Sequence, residues 1–165
     1  MNEFCYRLMD SIQRVVIIVS LAILGYLAVE TVGRYAGFKV WRVSGESMMP
    51  TLQDGDIQLN YDSGDWNYGD IVCIESPTKN GDFWVKRVVG LPGDTVEVWG
   101  NYIEVNGVAD PISKNYEKSY TESTVTVLLY GEYFVSGDNR KVSFDSRYVG
   151  PIQEENILSE KLFSF

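Results

Sequence analysis

The pattern of apolar and polar positions divides the chain near residue 40. Val15 to Val29 reads VVIIVSLAILGYLAV, an almost unbroken apolar run bracketed by Arg14 and Glu30. As a helix this run rises about 22 Å, short of the roughly 30 Å hydrocarbon core of a bilayer. Arg14 can snorkel and Thr31 to Gly33 can extend the run, so residues 15–33 are predicted to span a membrane. They would follow a short segment, 1–14, and precede a domain, 34–165. Two other readings stay open: a buried core helix, and a cleaved signal peptide, although no small-x-small site follows the run. Basic residues flank it on both sides, Arg7 and Arg14 before it and Arg34, Lys39 and Arg42 after it. Charge therefore leaves the orientation undecided.

From Trp41 the helical run gives way to short alternating segments broken by Gly, Asp and Asn. Strands are predicted at Asp56 to Asn60, Asp70 to Glu75 and Phe83 to Gly90. Thr95 to Trp99 and Tyr102 to Val105 flank Gly100-Asn101, a two-residue hairpin turn. Thr124 to Leu129 and Glu132 to Ser136 flank Tyr130-Gly131. Pro111 to Thr121 is polar and predicted to be a loop, and Glu154 to Leu162 carries the one later helical periodicity. The expected fold is mainly β: one antiparallel domain behind an N-terminal helix.

Composition narrows the chemistry. There is no histidine in 165 residues. This excludes a Ser-His-Asp triad, a Cys-His pair and any histidine-containing metal site. The net charge of −9, from 14 basic and 23 acidic residues, argues against a nucleic-acid partner. The two cysteines, Cys5 and Cys73, lie on either side of the apolar run. If the run spans a membrane they cannot pair within one chain. Cys73 sits in an alternating apolar stretch and is expected to be a buried small hydrophobe.

Three segments carry candidate chemistry. In SGESMMPTL, Ser47 lies between Gly45 and Pro50. A serine in such a turn can expose its hydroxyl and its amide together, one to attack a carbonyl and the other to hold the oxyanion. In VKRVVGLPGD, Lys86 follows Phe83, Trp84 and Val85. If it points inward, burial disfavours its ammonium and makes the amine a base. By alternation Arg87 then faces the other way, toward a carboxylate. In GDNRKVSFDSRYVG, Ser143, Asp145, Ser146 and Arg147 crowd together. On a strand, Asp145 and Arg147 would share a face and pair. Each segment also has a plain reading: a polar turn, a solvated strand lysine and a surface loop.

In this order, behind an apolar helix, the three segments resemble those of the bacterial type I signal peptidases. YGDIVCI, at Tyr68 to Ile74, looks like a fourth shared segment. The resemblance runs from about Val43 to Gly150. It implies an antiparallel, partly barrel-like catalytic domain and a membrane-bound serine endopeptidase with a Ser-Lys dyad and no cofactor or metal. Its substrates would be the signal peptides of exported preproteins, cut after small residues at Ala-x-Ala-type sites. The N-terminus would be cytoplasmic, the domain extracytoplasmic at the lipid surface, and the protein a monomer. Carried over, Ser47 is the nucleophile and Lys86 the general base. Ser143 positions the Lys86 amine, and Asp145 and Arg147 form a supporting ion pair. Gly45 stands where many Gram-negative members have a serine, so a backbone donor at Gly45 would replace that hydroxyl. Met48, Leu52, Trp84 and Val85 are the expected substrate-pocket residues. The compact length resembles Gram-positive members. The alternatives are a non-catalytic, membrane-anchored assembly factor or chaperone, as in pilus building, and a self-cleaving repressor-type protease.

Overall fold

The apolar run folds as one long helix, α1 (Glu3–Tyr35). The computed structural model describes residues 3–79, 81–118 and 122–165. No proline interrupts α1, and Gly37, at φ +80°, leads the chain out of the helix. Within α1, the 23 residues Ser11–Gly33 have a mean hydropathy of 2.4. At helical rise they span about 34 Å, enough for a bilayer core. The chain divides into two compact units, Met1–Phe38 and Lys39–Phe165.

The second unit is built from β1 (Phe38–Arg42), β2 (Ile57–Tyr61), β3 (Ile71–Glu75), β4 (Phe83–Gly90), β5 (Thr95–Trp99), β6 (Tyr102–Val105), β7 (Val108–Ala109), β8 (Thr124–Val127), β9 (Glu132–Ser136), β10 (Ile152–Gln153) and β11 (Ile157–Ser164). A short helix, α2 (Ser146–Val149), follows β9. The larger sheet has the order β1-β2-β11-β3-β4-β9-β10, and the smaller β7-β6-β5-β8. The expected class holds: the domain is mainly antiparallel β, and its larger sheet is a half-barrel.

β4 and β9 serve both sheets. Val88 and Val135 pack with Trp66, Val72, Ile74 and Ile157, while their neighbours Val89 and Phe134 pack with Val96, Ile103 and Leu128 of the smaller sheet. Period-two alternation sends adjacent valines to opposite cores. Gly90 lies where the layers meet, and a Cβ there would come within 2.8 Å of Val96.

Two sequence expectations are corrected. Glu154 to Leu162 is not a helix: a 3-10 turn at Glu154–Asn156 leads into β11. β11 inserts between β2 and β3, and this ladder outweighs the local helical pattern. Asp145 and Arg147 do not lie on a strand. Asp145 caps α2 and Arg147 lies within it. Within the predicted loop 111–121, Ser113–Asn115 forms a 3-10 turn, and residues 119–121 lie outside those described.

Candidate active site

Ser47 sits in a tight turn after β1. Met49 N–H donates to the Glu46 carbonyl, and Leu52 N–H to that of Met48. Met48 and Leu52 anchor the turn in a small core with Val43, Ile71 and Val85. The turn is also held by the segment after β9. Asn139 N–H donates to the Ser47 carbonyl at 2.9 Å, and its side-chain amide donates to the Glu46 carbonyl. A Cβ on Gly137 would overlap the Ser143 side chain and the Ser47 carbonyl oxygen. Glycine is therefore what lets the two segments touch.

Lys86 reaches this turn from β4. It is 5% exposed, and its Nζ donates to Ser47 Oγ at 2.9 Å. Burial pushes its pKa down from 10.5 to about 8. Asp145 nearby pulls it up and Arg147 pushes it down, each by less. Trp84 covers the amine, with its ring centre 5.8 Å from Nζ. Arg87 does face the other way. Its Nε and Nη2 donate to the Asp138 carboxylate at 2.8 and 2.6 Å, and its Nη1 to the Gly69 carbonyl.

Asp145 and Arg147 pair at 2.8 Å. Asp145 also accepts from Ser136 Oγ and Gly137 N–H, both at 3.0 Å. Burial alone would raise its pKa, but Arg147 first, then the Gly137 amide, hold it below the ordinary value. Arg147 further bonds the Ser143 carbonyl and Asn101 Oδ1. Ser143 is buried beside the dyad, but its hydroxyl makes no hydrogen bond of sound geometry among the described residues. The expected Ser143–Lys86 bond is thus not formed.

The Gly45 amide does not face an oxyanion. It donates to Asp54 Oδ1 at 2.8 Å, which corrects the expectation of a donor there. The Ser47 amide has no acceptor among the described residues and is free to serve. A cavity of about 130 Å³ opens beside the pair, lined by Ser47, Met48, Trp84, Val85 and Lys86 together with Cys73. Leu52 does not line it. Leu52 is wholly buried in the core behind, because the turn directs Met48 to the cavity and spends Leu52 on packing. Cys73 is the expected buried hydrophobe, with burial raising its thiol pKa to about 12.

The partners in two ion pairs escape sequence reading. Arg140, fully buried, donates to Asp110 at 2.6 Å and to the Gly137 carbonyl. Asp138 receives Arg87 and also Thr51. The partners are 30 and 51 positions apart, and no local pattern signals such contacts.

A desolvated amine on a serine hydroxyl, in a chain without histidine, is the layout of a serine hydrolase. The apolar helix makes this a membrane-anchored one. The chain matches the family described as signal peptidase, peptidase S26, over residues 11–165, and it belongs to that family. It is 34% identical over 162 residues to signal peptidase I U of Bacillus subtilis, covering 90% of this chain and 86% of that relative. It is also 34% identical over 170 residues to signal peptidase IB of Staphylococcus aureus, covering 90% and 87%. A solved signal peptidase I from Enterococcus faecalis shares 32% identity, with a TM-score of 0.47, over 58% of this chain and 96% of that one. The chain is thus an enzyme, a serine endopeptidase.

Proposed function

We propose that the chain cleaves signal peptides from exported preproteins, after small residues of the Ala-x-Ala type, with Ser47 as nucleophile and Lys86 as general base. The observation that supports this most is the 2.9 Å bond between Lys86 Nζ and Ser47 Oγ, on an amine that burial brings toward neutrality. Neutral Lys86 takes the Ser47 proton as Oγ attacks the carbonyl carbon. The Ser47 amide donates to the developing oxyanion. Lys86 passes its proton to the leaving amine, and an acyl-enzyme remains. Water, deprotonated by Lys86, attacks that ester, and Lys86 returns the proton to Ser47.

Met48, Trp84 and Val85 form a cavity sized for small side chains. Asp145 and Arg147 brace the segment behind the dyad, where Ser143 is buried. No cofactor, metal or nucleic acid takes part, and the enzyme works as a monomer. Residues 1–14 lie in the cytoplasm, 15–33 cross the membrane and 34–165 work outside, at the lipid surface. The non-catalytic reading is not favoured, since the serine, the amine and their bond are all in place.

The test is cleavage of a fluorogenic Ala-x-Ala peptide by the full chain. Ser47→Ala and Lys86→Ala should each lose at least about a thousandfold in kcat/KM, and the double variant little more, because the pair acts as a unit. Substantial activity surviving in either single variant would sink the assignment.

A further inference from the structure

The Ser47 turn is a wall shared by two openings. Ser47 and Met48 line the narrow cavity beside Lys86. The next three residues, Met49 to Thr51, line a second and wider cavity of about 520 Å³, closed on its other side by Tyr116, Asn139 and Lys141. Asn139, on that wall, also binds the Ser47 carbonyl.

A peptide cut at Ser47 needs room on both sides of the bond. If the narrow cavity takes the small residue of the acyl half, the leaving half falls to the wide one. A wide site suits this half, which carries a different sequence in every substrate. The site also has a charge. Lys141 is exposed and has no ion-pair partner among the described residues. Asp138 lines the same cavity but is 4% exposed, with its oxygens occupied by Arg87 and Thr51. The cavity therefore presents one uncompensated cation, in a chain whose net charge is −9.

We propose that this second cavity binds the first residues after the cut, and that Lys141 selects for an acidic side chain among them. The inference rests on the reading of Ser47 as the nucleophile.

The full chain in detergent is given peptides identical up to the cut and carrying Asp, Ala or Lys at the second and third positions after it. The wild type should prefer Asp over Lys by about three- to tenfold in kcat/KM at low salt, and less at high salt, as expected for exposed charges. Lys141→Ala should level the ratio and Lys141→Glu reverse it. Lys79→Glu, an equal change of net charge outside the cavity, should keep the wild-type ratio. The ratio is read within each variant, so a loss of folded enzyme does not alter it. Cleavage without Asp preference, or a preference that survives in Lys141→Glu, overturns this inference alone. A wild type that cleaves none of the peptides overturns both it and the proposed function.

Discussion

Burial strips water from the Lys86 ammonium and lowers its pKa from 10.5 to about 8. The effect on rate follows if the neutral amine is the base. kcat/KM should rise about tenfold per pH unit below the pKa and level off above about pH 8. The effect on stability falls in a different pH window. Between about pH 8 and 10.5 the unfolded chain binds the proton that the folded chain has lost, so stability rises with pH across that window. Below it the penalty is fully present. Lys86→Met keeps the side-chain bulk and removes the ammonium. The variant should be about 2–3 kcal/mol more stable than the wild type at pH 7. The gap should close as pH approaches 10.5. Urea unfolding at pH 7 and pH 10 checks this, and equal stability at pH 7 would mean that the amine is not desolvated in the fold.

Among elements, the contact between the Ser47 turn and the segment after β9 decides the site, and Gly137 is its closest point. In Gly137→Ala the added methyl meets the Ser47 carbonyl oxygen and the Ser143 side chain. A backbone atom cannot swing away as a side-chain end can, so the two segments must separate. We expect a loss of about 1–3 kcal/mol in stability and at least about a hundredfold in kcat/KM, since a displaced nucleophile costs that much. Thermal unfolding together with peptide cleavage separates the two. Near wild-type turnover in a folded variant would refute the contact.

What could be read from sequence follows the range of the interactions. Strands β4, β5, β6 and β9 were legible to the residue, because alternation and two-residue turns are local signals. Ser47 and Lys86 stood out for their chemistry. β11 was misread, because EENILSEKLF has helical spacing and its pairing with β2 and β3 depends on strands over 80 residues away. Asp145 and Arg147 were legible as a pair but not as a helix cap with its partner. The Arg140–Asp110 pair was invisible, and so was the loss of the Gly45 amide to Asp54. A buried arginine announces itself only through a partner that the fold supplies.

At the scale of the whole molecule, function depends on which side of the membrane holds the β domain. The Ser11–Gly33 span is long and apolar enough to cross, but basic residues flank it on both sides. The proposed reaction calls for the domain outside, because an enzyme that frees exported proteins must meet them after they cross. The molecule offers a clean probe. Cys73 is buried and its thiol is raised to about 12, so it forms almost no thiolate at neutral pH and should not react in the folded domain. Tyr130, in the turn between β8 and β9, is 95% exposed. In a chain with Cys5→Ser and Tyr130→Cys, a membrane-impermeant maleimide should therefore label position 130 alone. Right-side-out vesicles should label without detergent, and inverted vesicles only after detergent is added. Cys73 should join only on unfolding in urea, and its labelling before that would show a domain opened by the vesicle preparation. The reverse result, with inverted vesicles labelled first, would place the β domain in the cytoplasm and remove exported preproteins as its substrates.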